Sequence, residues 1–313
     1  MKYRKLGKTG LSISQIGLGS WTTFGDLLDF ESSKKIISKA FDLGINFFDT
    51  ADSYNSGKGE EILGNILKDF PREELVITTK CFFPLDGNST NPNLKGLSRK
   101  HIIESVNSSL KRLNVDYIDL FQFHRFDTQT PIEETIDAVN DLIRSGKILY
   151  YGTSKWSNDQ IEIANQYSQK RNGYNICSSQ DLYNLFHREV EQNHLDFCKN
   201  NGIGFLAYSP LARGVISEKY LSTTPQEGRY NSKYKDTIYD LNNKNIDKIK
   251  NLRLIAEKYN HTLSQVALAY YFSNSDLSST IIGCSKIEQL EENIKSVNLA
   301  LEQEDINLIK GLF

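Results

Sequence analysis

Four ionisable side chains, Asp49, Tyr54, Lys80 and His124, are of the types that carbonyl reduction needs. Hydride delivered to a carbonyl carbon leaves an alkoxide that must take a proton, and a positioned tyrosine can supply it. A free phenol, with a reference pKa of about 10, is a poor acid and needs help. An ammonium at Lys80 would favour the phenolate, Asp49 would hold that ammonium in place, and His124 would donate a hydrogen bond that orients and polarises the carbonyl. Taken singly, each has an ordinary structural reading: Asp49 a loop cap, Tyr54 a half-buried aromatic, Lys80 a solvated strand end, His124 a satisfied core histidine. Their shared position at consecutive strand ends is what argues for a site.

Short β-branched and aromatic runs alternate with amphipathic stretches along the whole chain. The strand candidates are Ile16 to Leu18, Ile45 to Phe48, Leu75 to Thr79, Tyr117 to Phe123, Ile148 to Tyr151, Tyr174 to Cys177, Gly204 to Ala207 and Ser279 to Ile282. Eight strands separated by helices predict an α/β fold, a (β/α)8 TIM barrel, with one domain over residues 1–313. Asp49, Lys80 and His124 each end a strand candidate and Tyr54 follows in a loop, so all four fall on the C-terminal face where barrels place their chemistry. Thr130-Pro131-Ile132-Glu133 predicts a helix start with Thr130 as N-cap, and Ser157 with Gln160 and Ser285 with Glu288 repeat the device. Gly44, Gly146 and Gly202 stand where left-handed helix ends are expected. Tyr3 to Ile13, turning at Gly7 to Gly10, reads as a β-hairpin ahead of the barrel. Phe82 to Lys100 and Ala212 to Asn243 are long for barrel connections, and such loops shape a site.

Composition removes several alternatives. The 313 residues are 39% hydrophobic and 24% charged with a formal net charge of −2, which suits a globular protein with a sizeable core and offers nucleic acid no basic attraction. Met1 to Gly10 lacks the apolar stretch of a secretion signal, and no later run approaches the roughly 20 apolar residues that span a bilayer, so a cytoplasmic protein without membrane partners is expected. Cys81, Cys177, Cys198 and Cys284 have neither C-x-x-C spacing nor a pairing pattern and are expected to be free thiols. Cys81 should face away from Lys80 and serve packing. The five histidines show no zinc-ligand spacing, and no metal is expected. Gly17-Leu18-Gly19 lacks the third glycine and the βαβ context of a Rossmann fingerprint.

The run Gly44-Ile45-Asn46-Phe47-Phe48-Asp49-Thr50-Ala51-Asp52-Ser53-Tyr54 resembles the signature of the aldo-keto reductase superfamily. The likeness is greatest to the branch containing bacterial aldo-keto reductases and the potassium-channel β subunits, and it extends from Tyr3-Arg4-Lys5-Leu6-Gly7 to Asn293. The resemblance implies a catalytic tetrad at Asp49, Tyr54, Lys80 and His124 and a bound NADPH/NADP+, with NADH also compatible. It counts Asp49 among the cofactor contacts as well and places the nicotinamide half against Gly19, Trp21 and Thr22, the carboxamide on Ser154 and Gln180, Tyr208 on the ring, and the pyrophosphate along Ser209, Leu211 and Gly214. The adenosine end would lie on Gly283, Ser285, Gln289, Glu292 and Asn293, where a helix N-terminus at Ser285 would also attract phosphate. Two departures bear on the cofactor: position 155 is Lys where relatives often have Asn or Arg, and Gln289 stands near a position that many members fill with a 2′-phosphate-binding Arg. Lys219, Arg229 and Lys286 are candidate compensating charges, Arg229 reading equally as a solvated loop charge.

The resulting expectation is an NADP-dependent oxidoreductase reducing a small aldehyde or ketone, keto-sugars included, with Tyr54 as general acid. Trp21, Tyr54, Phe82, Phe83, Trp156 and the loop after Ala212 would wall its mouth. A homo-oligomer is compatible with the sequence. Two rivals stand beside it: an NADPH-binding regulatory or redox-sensing subunit with little turnover, for which no extra N-terminal tail is seen, and another barrel enzyme such as an isomerase.

Overall fold

The computed structural model describes residues 1–218, 221 and 243–313, so Lys219, Arg229 and most of the segment from Ala212 to Asn243 lie outside the described residues. Two short strands, β1 (Tyr3–Lys5) and β2 (Ser12–Ser14), pair antiparallel as the hairpin expected from Gly7 to Gly10. Eight parallel strands follow: β3 (Ile16–Gly19), β4 (Phe47–Asp49), β5 (Val76–Cys81), β6 (Ile118–Phe123), β7 (Ile148–Ser154), β8 (Ser178–Leu182), β9 (Gly204–Tyr208) and β10 (Leu277–Ile282). They close into a barrel in sequence order, with β10 pairing back onto β3. This is the (β/α)8 architecture.

Helices α1 (Phe30–Asp42), α2 (Lys58–Leu67), α3 (Arg99–Leu113), α4 (Ile132–Arg144), α5 (Asn158–Lys170), α6 (His194–Asn201), α7 (Asn243–Lys258), α8 (Leu263–Ser273), α9 (Ile287–Lys295) and α10 (Gln303–Leu312) complete the described fold. Helix α4 shows why such segments are helical: Ile136, Val139 and Leu142 recur on one buried face, Glu133 and Glu134 stand in the first turn, and Arg144 in the last complements the helix dipole. The chain must reverse sharply after α1, α4 and α6, and it does so through Gly44, Gly146 and Gly202, all with positive φ. Among the described residues no helix is long and apolar enough to cross a membrane.

Three local expectations shift. The strand expected at Tyr174 to Cys177 forms instead at Ser178–Leu182. Its residues Ser178, Ser179 and Gln180 are polar yet buried, so a search for apolar runs passes over them. Thr130 is not the cap of α4; Pro131 is, while the Thr130 hydroxyl donates to Asp127 at 2.7 Å. Helix α9 is capped at Lys286, not Ser285, and no side chain caps it; Ser285 instead donates its backbone N–H to the Gln289 amide oxygen at 3.0 Å. The capping box at Ser157 and Gln160 forms as expected.

The barrel interior is layered. At its N-terminal end Phe47, Val76, Leu120, Cys177, Leu206 and Ile281 pack with Leu6 and Ile13 of the hairpin, which plugs the bottom. Because side chains alternate along a strand, Asp49 shares the inner face with Phe47, and Lys80 with Val76. Their neighbours Phe48 and Cys81 face outward into the larger core between strands and helices. On β3 the inward positions are Gly17 and Gly19. A Cβ at Gly17 would lie 2.4 Å from the Phe47 ring, and one at Gly19 would lie 2.8 Å from Ile281, so only glycine lets these strands close. All four cysteines are free and buried.

Candidate active site

Three strand ends converge on one buried ion pair. Lys80, fully buried, donates to both Asp49 carboxylate oxygens at 2.7 and 2.8 Å and to the Thr50 carbonyl at 2.8 Å, which uses all three of its protons. From β8, Gln180 donates its amide to the second Asp49 oxygen at 2.9 Å. A bare pair in such a place would lose more by desolvation than it gains, and these added bonds are what make it tolerable. Burial lowers the Lys80 pKa, and the Asp49 carboxylate opposes that shift.

Tyr54 is carried by a short 3₁₀ turn, Tyr54–Gly57, in which Asn55 and Ser56 are left-handed. The turn is held at both sides: the Asp52 N–H donates to the Lys80 carbonyl at 3.1 Å, and the Asn55 amide donates to the Gly25 carbonyl. The Lys80 ammonium lies 5.1 Å from the Tyr54 ring centre, and the His124 ring stands edge-on to Tyr54 at 5.6 Å. The tetrad predicted from sequence is therefore one cluster in space.

Its electrostatics differ from the expectation in one respect. Burial first, then the Asp49 carboxylate and Tyr208, push the Tyr54 phenol well above its ordinary value, while Arg125 pulls it down. The Lys80 charge is spent on Asp49, so it does not acidify the phenol by itself. His124 is held well below its ordinary value by burial, with Lys80 and Arg125 adding to the effect, so it is neutral at pH 7. Its Nδ1 is buried with no hydrogen-bond partner among the described residues.

Beneath this cluster lies a support that the sequence did not advertise. Glu60 on α2, fully buried, accepts from Thr79 at 2.5 Å and from Arg112 at 2.6 Å, tying α2 and α3 to β5 directly behind Lys80. Burial and the Glu60 carboxylate push Asp52 well above the usual carboxylate range. Thr50 enters through its backbone carbonyl, a role that side-chain identity cannot signal.

The remaining predicted residues form a rim. Ser20 is anchored to the cluster by its N–H on the Asp49 carbonyl (2.9 Å) and its hydroxyl on Thr50 (2.8 Å), and it leads into half-buried Trp21 and left-handed Thr22. Ser154 is buried at the end of β7, next to Gln180 in register. Tyr208 ends β9, with the Lys155 ammonium 5.7 Å from its ring centre. The following loop has positive φ at Ser209, Ala212, Arg213 and Gly214, with Leu211 half-buried between them, and the Arg213 guanidinium lies 5.3 Å from the Trp21 ring. Gly283, Ser285 and Gln289 are exposed around the uncapped start of α9, while Asn293 is buried and Glu292 accepts from Thr262 at 2.8 Å. Trp156 does not wall the mouth: it is buried, stacked on outward-facing Phe123 at 5.6 Å and edge-on to Phe126 at 4.8 Å, because the chain turns at left-handed Lys155.

A closed eight-stranded barrel with Asp49, Tyr54, Lys80 and His124 gathered at its C-terminal face defines a class, and comparison with known proteins agrees. The aldo/keto reductase family matches residues 15–313, and the chain belongs to that family. Similar proteins include a probable voltage-gated potassium channel subunit beta of Arabidopsis thaliana, 40% identical across 96% of this chain and 92% of its own length. Its counterpart in Oryza sativa subsp. japonica is 39% identical with the same coverage. A putative subunit of the same name in Schizosaccharomyces pombe is 40% identical over 94% of this chain and 88% of its own.

Proposed function

We propose that this protein reduces an aldehyde or ketone, keto-sugars included, to an alcohol by hydride transfer from NADPH, with Tyr54 as general acid. The observation that carries the reading is the Lys80 ammonium, bonded to both Asp49 oxygens at 2.7 and 2.8 Å and standing 5.1 Å from the Tyr54 ring. Residues 1–313 act as one catalytic barrel domain in the cytoplasm on a small-molecule substrate, and a homo-oligomer is compatible with this reading.

A nicotinamide dinucleotide, when bound, supplies the hydride. The residues present fit such a group: α9 begins with N–H groups that no side chain caps, and a left-handed loop runs from Ser209 to Gly214. Gly19, Trp21, Thr22, Asp49, Ser154, Gln180 and Tyr208 would hold the nicotinamide half. Ser209, Leu211 and Gly214 would follow the pyrophosphate, and Gly283, Ser285, Gln289, Glu292 and Asn293 the adenosine end. Preference for NADPH over NADH rests on Lys286, Lys219 and Arg229, since Gln289 is uncharged.

His124, neutral, has one N–H to donate, and it orients the carbonyl oxygen. Tyr54 keeps its proton at neutral pH, so the acid is always loaded. An alkoxide is a far stronger base than a phenolate, so the transfer runs downhill even from a phenol weakened by burial. Lys80 and Asp49 fix the charges around it and need no rearrangement during the step.

The test is NADPH oxidation followed by absorbance against a panel of aldehydes, ketones and keto-sugars, repeated with NADH. Tyr54→Phe is expected to lower kcat by about 10²–10⁴-fold. Turnover in the variant equal to that of the wild type would end the reading.

The relatives named as channel beta subunits favour a second reading, an NADPH-binding regulatory or redox-sensing subunit with little turnover. NADPH held tightly without turnover of any panel member, together with a stable complex with a membrane protein, would move the assignment there.

A further inference from the structure

We propose that Arg125 is an anion clamp on the substrate side of the mouth, so that the carbonyl compounds preferred by this protein carry a carboxylate. The inference rests on the reductase reading and names its substrate class.

Arg125 directly follows His124 at the end of β6. Its guanidinium donates to the His124 carbonyl at 2.5 Å and lies 5.4 Å from the Phe83 ring centre. The Phe83 ring in turn is 5.1 Å from His124, which is 5.6 Å from Tyr54. A ring, a cation and the proton-donating pair thus share one corner of the barrel face.

What sets Arg125 apart is its poverty of partners. Four other half-buried arginines are well provided for. Arg4 donates to the carbonyls of Phe272, Asn274 and Leu277, each at 2.6 Å. Arg72 takes Asp119 and the carbonyls of Leu75 and Tyr117. Arg112 takes Glu60 and Ser109, and Arg188 takes both Glu191 oxygens and the Lys310 carbonyl. Among the described residues Arg125 has one neutral acceptor, the His124 carbonyl, and no carboxylate within ion-pair distance. The acid two residues on, Asp127, is occupied by the N–H groups of Leu97 and Gln129 and by the Thr130 hydroxyl.

A guanidinium has five N–H donors in a planar fork that matches a carboxylate. Half-buried charges are ordinarily paired, and one left with a single bond beside a reaction centre is poised for an anionic ligand. The bond to the His124 carbonyl and the stacking on Phe83 fix the fork, which limits what is lost on binding. The loops after β5 and β6, which carry Phe83 and Arg125, hold none of the residues assigned to the cofactor; the described ones lie on or after β3, at the end of β4, and on or after β7 to β10. A carboxylate on Arg125 therefore belongs to the substrate, with Phe83 against its apolar body. The Arg125 charge also favours the Tyr54 phenolate, so an anion seated there would be felt at the proton donor.

The test compares 4-carboxybenzaldehyde with methyl 4-formylbenzoate, which keep the ring and the aldehyde and differ in charge. Wild type is expected to favour the acid at least about tenfold in kcat/KM, mainly through KM, the worth of one good charge-assisted contact. Arg125→Gln is expected to bring that ratio toward one, and Arg125→Lys to keep part of it, the second variant guarding against misfolding of the first. A wild-type ratio near one, or a ratio unchanged in Arg125→Gln, overturns the proposal. Turnover of the ester without preference for the acid would defeat this inference alone. Turnover of neither, with other carbonyl compounds of the panel still reduced, would also defeat this inference alone, whereas no turnover of any panel member would defeat the reductase reading with it.

Discussion

The two ends of the barrel interior are built on the same strands a few residues apart, yet they obey opposite rules. At the N-terminal end Phe47, Val76 and Leu120 fill space with the hairpin residues Leu6 and Ile13 and carry no polar atom. At the C-terminal end Asp49, Lys80 and Gln180 are just as buried, but each is held by named hydrogen bonds. Thr78 and Gln122 mark the change of rule, bonded to each other at 3.1 Å between the two layers. The lower end contributes stability through area and shape; the upper end holds charges in a fixed geometry that packing alone would never select. Stability and chemistry are thus separable along a single strand.

The sharpest way to break that separation is at Asp49, which belongs to both. Asp49→Asn leaves the fully buried Lys80 without its counter-charge, and breaking a buried pair this way costs about 3–5 kcal/mol. Denaturant unfolding should show that loss together with a collapse of carbonyl turnover. A variant as stable as wild type would mean that the pair is not held as the distances imply. Two residues below, Phe47→Ala should sharpen the contrast. Removing its ring from the bottom layer is expected to cost about 3–5 kcal/mol while kcat in the surviving folded protein stays within a few-fold. A kcat loss as large as that of Tyr54→Phe would show that the bottom layer sets the geometry of the top.

The same contrast explains what could be read from the sequence. Strands in which apolar residues predominate or alternate with polar ones, such as Val76–Cys81 and Ile118–Phe123, announce themselves by composition. Strand β8 does not, because Ser178 and Gln180 face the polar half of the interior, and the apolar signal falls upstream at Ile176 and Cys177. The cluster of Asp49, Lys80 and His124 is legible because ionisable residues at strand ends are unusual. The place of Trp156 is not legible because its direction depends on the left-handed turn at Lys155, a backbone property that residue type does not reveal. The acidity of Tyr54 is not legible for a related reason. A charge counted from sequence acts at full strength, whereas Lys80 in the fold is already neutralised by Asp49. Glu60 and Arg112, 52 positions apart, meet only through the packing of α2 on α3.

The smallest expected effect concerns pH, and its sign follows from where the protons sit. His124 has a folded-state pKa well below its ordinary value because burial and the Lys80 charge disfavour the imidazolium. In the unfolded chain it protonates near its reference value of about 6.5, so below that pH the unfolded state binds the extra proton. Stability therefore falls as pH drops below about 6.5 and is unaffected by this group above it, with a slope of up to about 1.4 kcal/mol per pH unit. His194, also lowered by burial, contributes in the same direction, while Asp52, raised by burial, contributes with the opposite sign above the usual carboxylate range. The difference between wild type and His124→Asn removes both of those contributions. Unfolding free energies measured from pH 7.5 to pH 5.5 should show the wild type losing stability faster than His124→Asn. Parallel curves would mean that His124 takes a proton as readily in the fold as out of it, and the polar end of the barrel would then be wetter than its burial indicates.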